Sequence, residues 1–255
     1  MVFFKLNLEH GDRYIHFAKY LNKQGFAVFL MDFEGHGKSE GGRGEINNYV
    51  NLITDFSTFY DIVNETLNGD LFVFGQGIGA AVTLIYFEYN HPYLSFFEEC
   101  TKGIVLCGCP FGITDPFFQN LKKAAALSKI TPHTASCSYD YSFTKSIKAK
   151  KELEQDKLFI HEKIKCKTAS QVLMMSEKLL EFFKKSKIPF YILHGDLDEI
   201  FSSDEAHKAF DENEINEDFK NLNIISELKH DLLHEDCYEA FFEEIVDWVK
   251  KLQSY

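Results

Sequence analysis

The stretch Phe72-Val73-Phe74-Gly75-Gln76-Gly77-Ile78-Gly79-Ala80 runs an apolar strand straight into a helix. Small residues crowd the junction, as a tight strand-to-helix turn demands. Two chemistries use such a turn. Gly75, Gly77 and Ala80 satisfy G-x-G-x-x-G/A, the dinucleotide fingerprint in which a pyrophosphate approaches a helix N-terminus. Gly75 and Gly79 also frame the G-x-S-x-G nucleophile elbow, with Gly77 where the serine would stand. The fingerprint needs a second strand ending in an acid about 20 residues further on. Glu98 and Glu99 lie near that distance, but they follow the turn-like Asn90-His91-Pro92-Tyr93. Two strand candidates also precede this one, and the fingerprint usually occupies the first. The weight therefore falls on the elbow.

Outward from the elbow, short apolar runs alternate with helical patterns. The runs are Val2–Leu8, Phe26–Met31, Leu71–Phe74, Ile104–Cys107, Phe190–Leu193 and Leu222–Ser226. They suit strands buried on both faces of a parallel sheet. Tyr14, Phe17, Ala18 and Leu21 fall on one helix face, as do Phe241, Ile245, Trp248 and Leu252 near the C-terminus. The alternation predicts a doubly wound, mostly parallel α/β sheet of about six strands. From about Phe111 to Ala169 the rhythm breaks, with no clear strand and a Lys- and Glu-rich segment at Lys145–Glu154. Residues 111–169 are read as a mostly helical lid inserted into a core made of residues 1–110 and 170–255.

Composition narrows the partners. A net charge of −12 with only two arginines, Arg13 and Arg43, leaves no basic stripe for a nucleic acid. No apolar run reaches the length of a transmembrane helix, and the N-terminal Met-Val-Phe-Phe-Lys is too short for a signal peptide. Six cysteines without a C-x-x-C pair read as reduced thiols of a cytoplasmic protein. The 26 phenylalanines predict an aromatic core or a greasy pocket.

A late acid–histidine pair completes the chemistry. Asp198 lies in His194-Gly195-Asp196-Leu197-Asp198, just past a strand run, and His230 follows the last run. Elbow, acid, histidine is the α/β-hydrolase chain order. Glu9-His10-Gly11-Asp12-Arg13-Tyr14, Gly35-His36-Gly37-Lys38-Ser39-Glu40-Gly41 with Arg43-Gly44, Thr168-Ala169-Ser170, and Pro189 to Gly195 together resemble the monoacylglycerol lipase and lysophospholipase family over nearly the whole chain. The resemblance implies an α/β-hydrolase fold, a lid over a lipid-sized pocket, a small lipid or acyl-ester ligand, and no metal or organic cofactor. Peripheral membrane contact would run through the lid. By position, Asp198 would orient His230, and His230 would be the general base. The Ile78 N–H would be one oxyanion donor, beside Gln76, with Asn7 where the second would lie.

The chain departs from that family where it matters most. Gly77 has no side chain, so no acyl-enzyme forms there. Lys5 and Leu6 replace the family's His-Gly pair, and Glu34 replaces its Arg before Gly35. Val2 already lies in the strand that the family reaches only after two others. Their absence predicts a long apolar sheet edge and self-association through it. The leading expectation is an inactive, lipid-binding pseudo-enzyme. The alternative is a carboxylester hydrolase of monoacylglycerols or lysophospholipids whose serine is missing from this copy. Water attack driven by His230, or a nucleophilic Cys109, are lesser alternatives. Structural expectations fall on five residues: His10 as a helix starter, His36 as a turn residue, His234 as a surface or capping residue, and Asp198 and Asp196 as caps. His230 and His234, four apart, are only weakly a metal pair.

Overall fold

A computed structural model describes residues 2–6, 9–67, 69–89, 100–137 and 143–254, with backbone only for residues 2–6, 89, 136 and 137. All six strand runs are strands: β1 (Val2–Leu6), β2 (Phe29–Met31), β3 (Leu71–Gly77), β4 (Thr101–Cys107), β7 (Phe190–Gly195) and β8 (Lys220–Ile225). They form one sheet in the order β2-β1-β3-β4-β7-β8. Every pairing within it is parallel. Between β4 and β7 lie two short strands that the sequence did not announce, β5 (Ala135–Cys137) and β6 (Ile164–Lys165), paired antiparallel. At two or three residues each, they are too short for an alternating pattern to show.

The period of two decides which helices cover which face. Phe72, Phe74, Val105, Cys107, Tyr191 and Leu193 point to one side. There they meet α1 (Ile15–Lys23) through Phe17 and Leu21, and the C-terminal helix α8 (Tyr238–Leu252) through Phe242, Ile245, Trp248 and Val249. The Phe17 and Phe242 rings lie 4.2 Å apart. The alternate set, Leu71, Val73, Ile104, Leu106, Phe190 and Ile192, faces α2 (Tyr49–Thr66), α3 (Ile78–Tyr89), α4 (Asp115–Ala126), α6 (Cys166–Lys185) and α7 (Ser203–Glu212). α3 is apolar on all sides, and Ala80 through Phe87 are all buried. Such a helix is stable only as an interior element. Phe56, Tyr60, Tyr86 and Phe87 stack between α2 and α3. Much of the aromatic wealth is thus spent on the core.

At the N-terminal side the sheet ends on β2, only three residues long and half-buried. A short edge is a poor template for another chain, so the expected self-association finds no support there. α5 (Ile147–Gln155) begins at Ser146, whose hydroxyl accepts from the Ala149 N–H.

Because the sheet is parallel, its strand C-termini gather at one rim. The elbow is the tightest point of that rim. A Cβ on Gly75 would fall 2.5 Å from Ala80 Cα and 2.7 Å from its nitrogen, both backbone atoms that cannot yield. Gly75→Val should therefore lower stability by about 1–3 kcal/mol, the range for overpacked cores. Gly69→Ala, with nothing within 4 Å, should change it by less than about 0.5 kcal/mol. Urea unfolding of both variants measures the contrast.

Candidate active site

Gly77 ends β3 with φ +54°, and α3 starts at the next residue. Left-handed backbone at that junction is the geometry of an elbow apex. Ile78, fully buried, opens α3, and its N–H has no acceptor within the helix. Leu6 pairs with Gly77 in the β1–β3 ladder, so the end of β1 lies beside the apex. Asn7, the expected second oxyanion donor, lies outside the described residues, as do Glu98 and Glu99.

Asp198 and His230 meet. Their loops follow β7 and β8, which are neighbours in the sheet. Backbone bonds zip those loops together: Asp196 N–H to Ile225 O at 3.0 Å and Leu197 N–H to Leu228 O at 2.9 Å. The result is a 2.7 Å hydrogen bond from His230 Nδ1 to Asp198 Oδ2. The other carboxylate oxygen accepts from the backbone N–H groups of Ile200 at 2.8 Å and Phe201 at 3.0 Å. The capping expectation for Asp198 is thus met together with the pairing. His194 Nε2 stands 3.2 Å from Oδ2, so two imidazoles flank one carboxylate. Burial alone would raise the Asp198 carboxyl. The charge of His230 and the hydrogen bonds of His194 and His230 outweigh it and hold the group well below the ordinary carboxylate range.

The His230 ring packs over the rim of the sheet. A Cβ on Gly108, which follows β4, would come within 2.7 Å of its Cε1. Phe201 presents an edge to it with centroids 5.3 Å apart. His230 is 3% exposed, and its Nε2 is buried without a hydrogen-bond partner among the described residues.

Gln76, expected beside the oxyanion donors, is engaged by protein groups. It is fully buried; its Oε1 lies 3.2 Å from the Tyr14 hydroxyl, and its Nε2 reaches His230 O at 3.4 Å and Asp231 Oδ1 at 3.5 Å. Around it runs a polar network. Arg13 bridges Glu9 and Asp231, each at 3.0 Å, and His234 Nδ1 lies 2.8 Å from Asp231 Oδ1. His234 is therefore an interior member of this network and not a surface residue. Its Nε2 is 3.0 Å from Arg13 O. The rings of His230 and His234 engage different acids, because the chain between them forms a short 3-10 turn and not an α-helix. His10 also departs from expectation: its side chain makes no cap bond, and its Nε2 instead lies 2.7 Å from Asp156 Oδ2, on the 111–169 segment. Further ties fix that segment. Glu235 accepts from the Lys145 and Ser146 N–H groups at 2.7 and 3.1 Å, and Arg43 donates to Leu158 O at 2.6 Å. Cys109 is fully buried, and burial pushes its thiol well up, so the thiolate a nucleophile requires is disfavoured.

The turn at Gly35–Gly41 is structural. His36 is buried, with Nδ1 donating to Glu34 O at 2.9 Å, and Ser39 donates its hydroxyl to Asp32 O at 2.6 Å. Thr168 bonds the same loop through Gly44 O at 2.9 Å and the Ile46 N–H at 3.0 Å. Two motifs far apart in sequence are thereby one joint.

Residues 4–237 match the family described as serine aminopeptidase, S33. The chain belongs to that family. It is a monoacylglycerol-lipase-like α/β-hydrolase. A monoglyceride lipase homolog of monkeypox virus is 26% identical over 245 residues, covering 94% of this chain and 85% of the viral protein. Human monoglyceride lipase is 24% identical over 251 residues, covering 95% and 79%. The crystal structure of Paleococcus ferrophilus monoacylglycerol lipase superposes with a TM-score of 0.83 at 24% identity, covering 100% of this chain and 94% of that one. A soluble variant of the Saccharomyces cerevisiae monoglyceride lipase, in complex with a substrate analog, gives 0.86 at 18% identity, covering 98% and 86%. Among the described residues no helix is long and apolar enough to cross a membrane.

Burial pushes the His36 imidazole down to about 4 from its ordinary 6.5. The unfolded chain therefore takes the proton first. The stability this contributes is complete above pH 6.5 and is lost as pH falls towards 4, at about 1.4 kcal/mol per pH unit. His36→Gln should flatten that slope, read from urea midpoints between pH 7 and 4.5, whatever it does to stability at pH 7.

Proposed function

We propose that this hydrolase-family protein binds a small acyl lipid without turning it over through an acyl-enzyme. Gly77 at the elbow apex carries the reading. In a serine-bearing elbow the hydroxyl attacks the ester carbonyl, histidine takes its proton, and the acid steadies the imidazolium. The backbone N–H after the nucleophile then holds the oxyanion. In this reading His230, Asp198 and Ile78 would take the last three roles, which the His230–Asp198 hydrogen bond supports, and position 77 offers no oxygen for the first. A triad stripped of one member keeps only about 10³–10⁴-fold catalysis over water.

Several observations support a lipid ligand and the setting. The relatives are lipases by name, and one solved neighbour was determined with a substrate analog. The 111–169 segment, our lid, is fastened over the core by His10–Asp156, Glu235 and Arg43. Contact with a membrane surface would be peripheral and through that lid. Cysteines with no C-x-x-C pair among them suit a reducing cytoplasm.

One observation favours the second reading, an ester hydrolase whose serine is missing from this copy: the Asp198–His230 bond is intact and Nε2 still lacks a partner. Gly77→Ser separates the two states of the site. The unaltered chain should resist a fluorophosphonate probe. The serine variant should be labelled and should hydrolyse short p-nitrophenyl esters, at a stability cost of about 1–3 kcal/mol for a side chain in left-handed backbone. A folded Gly77→Ser protein that stays inert would refute the elbow assignment, and labelling of the unaltered chain would refute the inactive reading.

A further inference from the structure

The serine's absence changes which ligand chemistry the remaining groups can satisfy. Two features flank the apex. The first is the start of α3, a 12-residue helix whose leading N–H groups, at Ile78 and Gly79, have no acceptor within the helix and carry partial positive charge. The second is the His230 ring. Its Nδ1 is taken by Asp198 at 2.7 Å, its Nε2 has no partner among the described residues, and its surface is 3% exposed. A buried nitrogen without a partner marks a place where a ligand or water belongs.

We infer that this site selects a free carboxyl group, so that the ligand is an aliphatic acid in preference to its ester or alcohol. The inference rests on the acyl-lipid reading above and deepens it. Asp198 holds Nδ1, so Nε2 is the ring atom left for a ligand. A carboxyl group with one proton, brought in by the acid or taken up from buffer by the carboxylate, completes it: that proton is shared between Nε2 and one ligand oxygen in a single hydrogen bond. The other ligand oxygen accepts from the Ile78 N–H at the helix start. Charge-assisted bonds of this kind are roughly twice as strong as neutral ones. An ester has no proton to give and leaves Nε2 unpaired. An alcohol pairs with Nε2 but brings no charge to the helix N-terminus. A serine would occupy Nε2 with its own hydroxyl; Gly77 has no side chain to do so.

The experiment is titration calorimetry on the full chain at neutral pH, below micellar concentrations, with decanoate, methyl decanoate, decanol and 1-decanoylglycerol. Decanoate should bind at least about tenfold more tightly than the other three. His230→Gln should abolish that preference while the ester's affinity changes little. Equal affinities, or ester binding tighter than acid, would overturn the carboxyl inference and leave the acyl-lipid reading standing. Failure of all four to bind would overturn both. A preference that survives in His230→Gln would also overturn the inference, and if that variant does not fold, the four-ligand comparison on the unaltered chain decides alone.

Discussion

The rim of this sheet is organised by one buried charge. Asp198 sits in the interior as a carboxylate, and an interior carboxylate survives only when its oxygens are filled. They are, by two backbone N–H groups and two imidazoles. The four donors come from three stretches of the β7–β8 region, so satisfying the charge fixes the loop after β7, the last residues of β7 and the loop after β8 at once. The position of His230 follows from that requirement. Gly108, which lacks a side chain, lets the ring settle on the end of β4. The behaviour of the whole rim therefore depends on one ion being solvated by protein.

A second layer of polar contacts carries this order outward. Gln76, one residue before the apex, touches the His230 carbonyl and Asp231, and Asp231 in turn holds Arg13 and His234. Arg13, the elbow and the histidine loop are thus parts of one network. His10–Asp156 and the Glu235 bonds to residues 145 and 146 extend it to the segment above. In such a network a half-filled arrangement is worse than an apolar one, because each lost partner strands another buried group.

The fold was legible because its signals are local. Six apolar runs became six strands, and the helix faces at Phe17 and at Phe241, Ile245, Trp248 and Leu252 lie in the core as their spacing puts them. The chain order of elbow, acid and histidine was legible for the same reason. What escaped is non-local. His10 and Asp156 are 146 residues apart, and Arg13 and Asp231 are 218 apart. No periodicity links such positions; only the folded sheet does. His234 was misjudged on that account, since one of its two ring contacts is to the Arg13 carbonyl, 221 residues away. His194 is the exception, because its place four residues before Asp198 on a strand end was a signal within reach. β5 and β6 escaped through brevity alone.

Retention of Asp198 and His230 beside Gly77 does not by itself argue for catalysis. Asp198 would be kept for its two backbone bonds and the loop junction they make, whatever His230 did. His230 differs. Nδ1 of His10 and of His194 are also buried without a partner among the described residues, so a bare ring nitrogen alone does not mark a ligand; what sets His230 apart is its ring's place at the sheet rim against Gly108. Leaving Nε2 bare in the interior costs about 1–3 kcal/mol of lost solvation. Folding alone gives no return for that cost. Something that enters the site and pairs with Nε2 does, and without a serine at position 77 that partner has to come from outside the chain.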